Sequence, residues 1–196
     1  MPDSNHVRLR EGIIDLLVNL NKQRLQLETW AYCSTSGSNR QKAFEAKAEV
    51  IAKLETDILT AMEELVDVKA ALSPIKQMVP KNVKVPKHDI GDYSGGPLDT
   101  AADIENAKFK KYLGESLKIK PNINIGNFKT EVDAAFTKAN GAYKNDSGLS
   151  GLSGLLEMAW AKMRTIFTGY KSSTEQVLHQ EKERASSFDN PNNPST

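Results

Sequence analysis

The sequence has few of the residues that build catalytic and metal sites. Its 196 residues include one cysteine and three histidines. Cys33 alone cannot form an intrachain disulfide, and His6, His88 and His179 stand too far apart in sequence to form a zinc-type ligand pair. No paired carboxylates, catalytic triad or phosphate-binding glycine loop stands out. We therefore expect no catalytic residues, no cofactor and no metal, and we interpret the chain as non-enzymatic.

Long apolar runs and an excess of charge of one sign are also absent. No stretch approaches the ~18 apolar residues that span a bilayer, and the first residues are polar where a signal peptide would become apolar. The 26 Lys and Arg residues nearly balance the 25 Asp and Glu residues, whereas nucleic-acid binders usually carry a basic excess. We expect no membrane span, and a soluble chain without a classical signal peptide, either cytoplasmic or within an assembled particle.

What the chain does contain is apolar residues in helical stripes. Hydrophobic residues make up 39% of the sequence and aromatic residues 7%, and many of them alternate at steps of three and four. The longest stripe has coiled-coil spacing and predicts a helix from about Arg40 to Leu72, ending before Pro74. The stripe consists of Phe44, Ile51, Leu54, Ile58, Ala61, Leu65, Val68 and Leu72, with Ile75 expected beyond the helix.

A matching stripe precedes it and predicts a first helix from about Asn5 to Cys33. Its members are Leu9, Ile13, Leu16, Leu20, Leu27 and Trp30. Residues 34–39 are Ser, Thr, Gly and Asn, which are typical of a loop. Two stripes of similar length joined by a short loop predict an antiparallel helical hairpin over residues 1–72, with the heptads closing the hairpin on itself.

The remaining chain divides into three segments by composition. Residues 73–97 are rich in Pro, Gly and Lys and predict an extended connector. Residues 98–185 predict a C-terminal helical part with a long last helix, and residues 186–196 predict a flexible tail. The predicted fold is therefore all-α: a long hairpin plus a C-terminal helical part, forming an elongated bundle.

Two groups of side chains are candidate contact sites. Trp30, near the hairpin tip, and the broad face of the last helix are candidate interfaces, because large apolar side chains anchor protein contacts. The connector lysines are a candidate polyanion contact, although such lysines are more often a solvated surface. The candidate interface is Trp30, Leu155, Trp160, Phe167 and Tyr170, and the candidate polyanion contact is Lys76, Lys81, Lys84 and Lys87.

Three glycines at a spacing of three form the most distinctive local motif. Gly148, Gly151 and Gly154 alternate with leucine and serine. Small residues at this spacing permit a close helix crossing. Because each glycine also weakens a helix by about 1 kcal/mol, the alternative is a flexible start of the last helix.

These features favour a structural or assembly protein: a self-associating helical subunit of a larger particle, filament or apparatus, virion-like or secretion-like. The wide apolar stripes and the balanced charge suit close packing between copies. One alternative is a helical adaptor or leaderless secreted protein that pairs with another helical protein. A second alternative is a nucleic-acid-associated protein that acts through the Lys76–Lys120 region.

Overall fold

The computed structural model describes residues 4–80, 96–120, 123–144 and 152–170, and six α-helices lie in these ranges. They are α1 Ser4–Tyr32, α2 Asn39–Ala61, α3 Ser73–Met78, α4 Gly96–Ser116, α5 Gly126–Lys144 and α6 Leu152–Gly169. Short 3-10 turns occupy Met62–Glu64 and Lys69–Leu72. The helices pack on one another, which confirms the predicted all-α fold.

The first two helices form the predicted antiparallel hairpin. Gly37 in the loop has φ 75°, a left-handed conformation that favours glycine. Ser38 then caps α2, since its hydroxyl oxygen accepts a hydrogen bond from the Gln41 N–H at 3.1 Å. Trp30 near the end of α1 contacts Phe44 near the start of α2, so the two helices run in opposite directions from the tip.

The second helix is shorter than its apolar stripe predicted. α2 ends at Ala61 instead of Leu72, and the chain becomes extended at Val68, whose side chain is exposed. The cause is a competing contact: the carbonyl of Leu65 accepts a hydrogen bond from the N–H of Lys120 at 2.9 Å, where a continuing helix would use it internally. Tertiary pairing therefore overrides the helical pattern here.

The predicted connector begins with a helix. Pro74 lies in the first turn of α3, where no backbone N–H is needed, so it starts a helix where we expected it to end one. Ile75 lies beyond α2, as expected, but it belongs to α3, and both Ile75 and Val79 are buried in the core. Residues 81–95 of the connector and the tail at 186–196 lie outside the described residues.

Four of the helices close a ring in which every neighbour is antiparallel. α1 packs on α2, α2 on α5, α5 on α6, and α6 on α1, which is the arrangement of an up-and-down four-helix bundle. The pairs that fix these contacts include Asp57 with Lys138, Phe136 with Trp160, Phe128 with Phe167, and Gly12 with Ile166. α4 packs outside this ring, on α1 and α3.

This arrangement makes α1 the central helix, since it contacts α2, α4 and α6. Within the described residues, one apolar core cluster draws side chains from all six helices. The C-terminal helices therefore share their core with the hairpin. Much of the circumference of α1 is buried, and any polar side chain on those sides needs a partner inside the protein.

α1 and α6 approach each other closely at Gly12. A Cβ atom at this position would lie 2.6 Å from Cδ1 of Ile166 on α6, so a larger residue there requires the Ile166 side chain to move. At Gly154 a Cβ would meet no described atom within 4 Å, so this glycine makes no close crossing. Gly148 and Gly151 lie outside the described residues.

Gly12→Ala is expected to lower the free energy of unfolding by about 1–3 kcal/mol, because its methyl group overpacks against Ile166. Urea unfolding followed by circular dichroism measures this change. Gly141→Ala on α5 is the matched control: a Cβ there meets no described atom within 4 Å, and the variant gains up to about 1 kcal/mol of helix propensity. Equal effects of the two substitutions would contradict the close crossing.

Candidate functional site

The broad face of α6 is used mainly inside the chain. Trp160 packs on Phe136 of α5 with ring centroids 5.0 Å apart, and Phe167 packs edge-on against Phe128 at 5.7 Å. Phe167 and Tyr170 are buried, and Leu155 and Trp160 are half-buried against the same core. Of the predicted interface residues, these four therefore leave limited surface for a partner.

Trp30 is different, because half of its surface is exposed (50%). Its ring rests on Phe44 with centroids 5.5 Å apart, and the guanidinium of Arg40 lies 5.6 Å from the centre of the Phe44 ring. Trp30, Cys33, Arg40 and Phe44 line a depression of about 470 Å³ at the end of the hairpin, together with loop residues. We call these four residues the tip surface.

A groove between α1 and α6 adds a second exposed apolar region. Its volume is about 230 Å³, and the side chain of Met158 beside it is 71% exposed. Leu16 and Gln23 line the groove, and Trp30 follows them at the same seven-residue spacing, so the groove and the tip surface lie along one face of α1. The groove is lined by Leu16, Asn19, Leu20, Gln23, Leu155, Met158, Ala159 and Lys162.

The proposed polyanion contact has only one described lysine. Lys76 is paired with Glu63 and donates a hydrogen bond to the Thr60 hydroxyl at 3.3 Å. The hydrogen bond from Lys76 holds the pKa of Glu63 below its usual value, which is the sign of a formed pair. The charge of Lys76 is therefore largely compensated within the chain. Lys81, Lys84 and Lys87 lie outside the described residues.

A buried polar cluster at the centre of the fold was missed by the sequence analysis. Arg24 on α1 donates from Nε to Glu55 Oε2 of α2 at 2.7 Å and from Nη1 to Glu28. Its Nη2 donates to the Asn21 side-chain oxygen, and the Asn21 amide donates to Asn106 of α4 at 2.8 Å. These five residues, the Arg24 cluster, join α1, α2 and α4.

The cluster contains two carboxyl groups and one guanidinium. The side chain of Glu55 is fully buried, and that of Arg24 is 2% exposed. Burial raises the pKa of the Glu55 carboxyl from 4.5 to about 7, against the opposing effect of Arg24. Burial acts to lower the pKa of Arg24, but the charges of Glu55 and Glu28 outweigh it and the pKa is raised. The guanidinium therefore stays charged, and the carboxyl is the group that titrates.

A sequence signal for this cluster existed. Arg24 lies four residues after Leu20 and three before Leu27, directly beside the first stripe. Glu55 directly follows Leu54 of the second stripe. A charged residue beside each of two facing apolar stripes indicates a candidate for a buried ion pair.

No group of three or more Cys, His, Asp or Glu side chains in the described ranges could hold a metal ion. Among the same residues, no helix is both long and apolar enough to cross a membrane. In comparisons with known proteins, the chain matches no protein-family model, no curated protein and no solved structure.

Arg24→Met is expected to lower the free energy of unfolding by about 3–5 kcal/mol at pH 8, because it leaves Glu55 as a buried charge without its counterion. Adding Glu55→Leu is expected to recover most of this loss, because the pair is then replaced by apolar groups. Chemical denaturation of the single and double variants measures both effects.

Lys53→Met is the matched control, because it breaks a largely exposed ion pair with Glu49 on α2. It is expected to cost less than about 1 kcal/mol. The double variant Arg24→Met/Glu55→Leu could instead lose as much unfolding free energy as the two single variants, Arg24→Met and Glu55→Leu, lose together. That result would contradict a stabilising interaction between Arg24 and Glu55.

Proposed function

We propose that this protein is a non-enzymatic, self-associating helical subunit of a larger assembly, and that its copies meet through the tip surface. The observation that carries the proposal is the half-exposed Trp30 in tilted contact with Phe44, beside Arg40. Trp and Arg are the side chains most enriched among residues that dominate binding energy at protein interfaces.

Contact of this surface with water costs free energy. A second surface that covers the exposed part of the Trp30 indole releases the water next to it, and the gain is about 25 cal/mol for each Å² of apolar area covered. The Trp30 ring is already held in position, because it contacts Phe44 and half of its surface packs against the chain. Less side-chain entropy is then lost on association.

A second copy is the partner that fits the charge and the shape. The net charge of the chain is +1, so two copies do not repel each other strongly. A two-fold contact places the same patch of each copy against the other, and aromatic rings then pack on aromatic rings. The single cysteine, Cys33, is exposed in the same depression and would lie close to its counterpart.

Trp30→Ala is expected to weaken self-association by about thirty-fold, the effect of losing about 2 kcal/mol at a central interface residue. Sedimentation equilibrium over a wide concentration range measures the association constant. Tyr112→Ala is the matched control, because Tyr112 is a comparably exposed aromatic residue on α4, away from the tip surface. It is expected to leave the constant unchanged.

The native cysteine, Cys33, provides a chemical test of the same contact. Under a mild oxidant, the associated protein is expected to form a Cys33–Cys33 dimer, and Trp30→Ala is expected to slow its formation. A wild-type chain that stays monomeric at high concentration, with no effect of Trp30→Ala, would overturn the proposal of self-association.

A helical adaptor is the alternative that one observation favours. The groove between α1 and α6 has a mainly apolar lining, which is the chemistry that receives the apolar face of an amphipathic helix, and Met158 at its edge is a side chain that adapts to different partners. A monomer that co-purifies in equal amounts with one unrelated protein would support this alternative. Nucleic-acid association through the Lys76–Lys120 region stays a prediction: Lys76 is paired with Glu63, and Lys81, Lys84 and Lys87 lie outside the described residues.

A further inference from the structure

We propose that the Arg24 cluster is a proton-operated latch: a proton on Glu55 keeps α4 and the end of α3 docked on the hairpin, and loss of that proton loosens them. This device is separate from the proposed self-association, because it lies in the interior of the fold. It concerns which helices stay packed, and it depends on the arrangement of five side chains and one backbone carbonyl.

The geometry makes one guanidinium the junction of four elements. Arg24 Nη2, besides its bond to Asn21, lies 3.4 Å from the carbonyl oxygen of Met78, the last residue of α3. Nε donates a hydrogen bond to Glu55 of α2, and the Asn21 amide donates a hydrogen bond to Asn106 of α4. Any change in the position of Arg24, or in the charge around it, therefore alters the contacts of α3 and α4, the two helices that pack outside the four-helix ring.

The charge balance of the cluster favours uptake of one proton. With both carboxyl groups ionised, Arg24 faces two negative charges and the cluster carries a net charge of −1. Glu28 keeps some contact with water, since its side chain is 25% exposed, whereas Glu55 has none. Glu55 Oε1 also accepts no hydrogen bond from the described residues. A proton at this atom removes the excess buried charge, which is costly in an apolar interior.

Two other charged groups on α3 and α4 face partners outside the cluster. Lys76 of α3 pairs with Glu63, and Asp103 of α4 lies 3.8 Å from Lys22. Towards the cluster, α3 presents the Met78 carbonyl and α4 presents the Asn106 amide. In the described part of the chain, Arg24 and Glu28 are thus the ionisable groups that act on Glu55.

α4 is the element whose release this latch would control. It packs on α1 and α3 outside the ring of α1, α2, α5 and α6. From Ala102 onward, where side chains are described, the buried apolar ones are Phe109 and Leu113 of α4 and Leu117 just after it, whereas Ile104 and Tyr112 are exposed. Asn106 lies one turn before Phe109 and accepts the hydrogen bond from Asn21. Loosening this bond removes a side-chain contact that joins α4 to α1.

The direction of the pH effect follows from proton binding. In the docked state burial raises the pKa of the Glu55 carboxyl to about 7, and an opening of α3 and α4 that admits water to Glu55 along Arg24 would return the pKa towards its ordinary value of 4.5. Between these values the docked state binds more protons, so docking weakens as the pH rises. The opening constant of α4 is expected to rise about tenfold per pH unit, by about 300-fold in total, and to level off above pH 7.

Hydrogen–deuterium exchange of the full chain between pH 5 and 8.5, corrected for intrinsic exchange rates, tests the latch. Peptides from α4 are expected to lose protection as the pH rises, while peptides from α5 keep theirs. Glu55→Gln is expected to abolish the pH dependence in α4. Asp57→Asn, two residues away on α2 in an exposed pair with Lys138, is the matched control and is expected to behave like the wild-type chain.

Glu28→Gln provides a second variant that perturbs the fold less, since its side chain is partly exposed. It removes the extra negative charge, so the loss of protection is expected to level off at a lower pH and to be smaller in total. Protection of α4 that does not change with pH, the same pH dependence in Glu55→Gln as in the wild type, or an equal loss in α4 and α5 would each overturn the proposal.

Discussion

The fold depends on how Arg24 is kept inside the protein. α1 is packed by α2, α4 and α6, so a charged side chain on its inner surface cannot reach water. The guanidinium is retained because its donors find Glu55, Glu28, Asn21 and the Met78 carbonyl. A buried ion pair of this kind adds little net stability, but removing one partner is costly. It therefore favours one arrangement of the helices around α1 over others with similar apolar contacts.

The sequence predicted the fold class and the hairpin, because the spacing of apolar residues along α1 and α2 records which side of each helix is buried. It did not predict the end of α2 at Ala61, since the Leu65 carbonyl is taken by Lys120, a residue more than fifty positions away. Pro74 was equally ambiguous: proline ends one helix or begins the next, and only the packing of Ile75 decides between them.

The candidate site could be predicted only in part. Trp30 was identified because a large apolar side chain near the hairpin tip can anchor a protein contact, and it is half exposed. Phe167 and Tyr170 were identified by the same apolar pattern, yet both are buried within the chain. A stripe shows that a face is buried, but it does not show whether the same chain or another one covers it. The Arg24 cluster was missed because Glu55 and Asn106 are far from Arg24 and Asn21 in sequence and meet them only in the folded chain.

The central claim is that Glu55 carries a titratable charge in the interior, held in balance by Arg24 and Glu28. Carbon-13 NMR of the side-chain carboxyl of Glu55, assigned by its loss in Glu55→Gln and followed from pH 3 to 9, tests this claim most directly. The expected result is an apparent pKa of about 7. An apparent pKa at the ordinary value of 4.5 would contradict it, because the carboxyl would then be either exposed to water or fully neutralised by its partners.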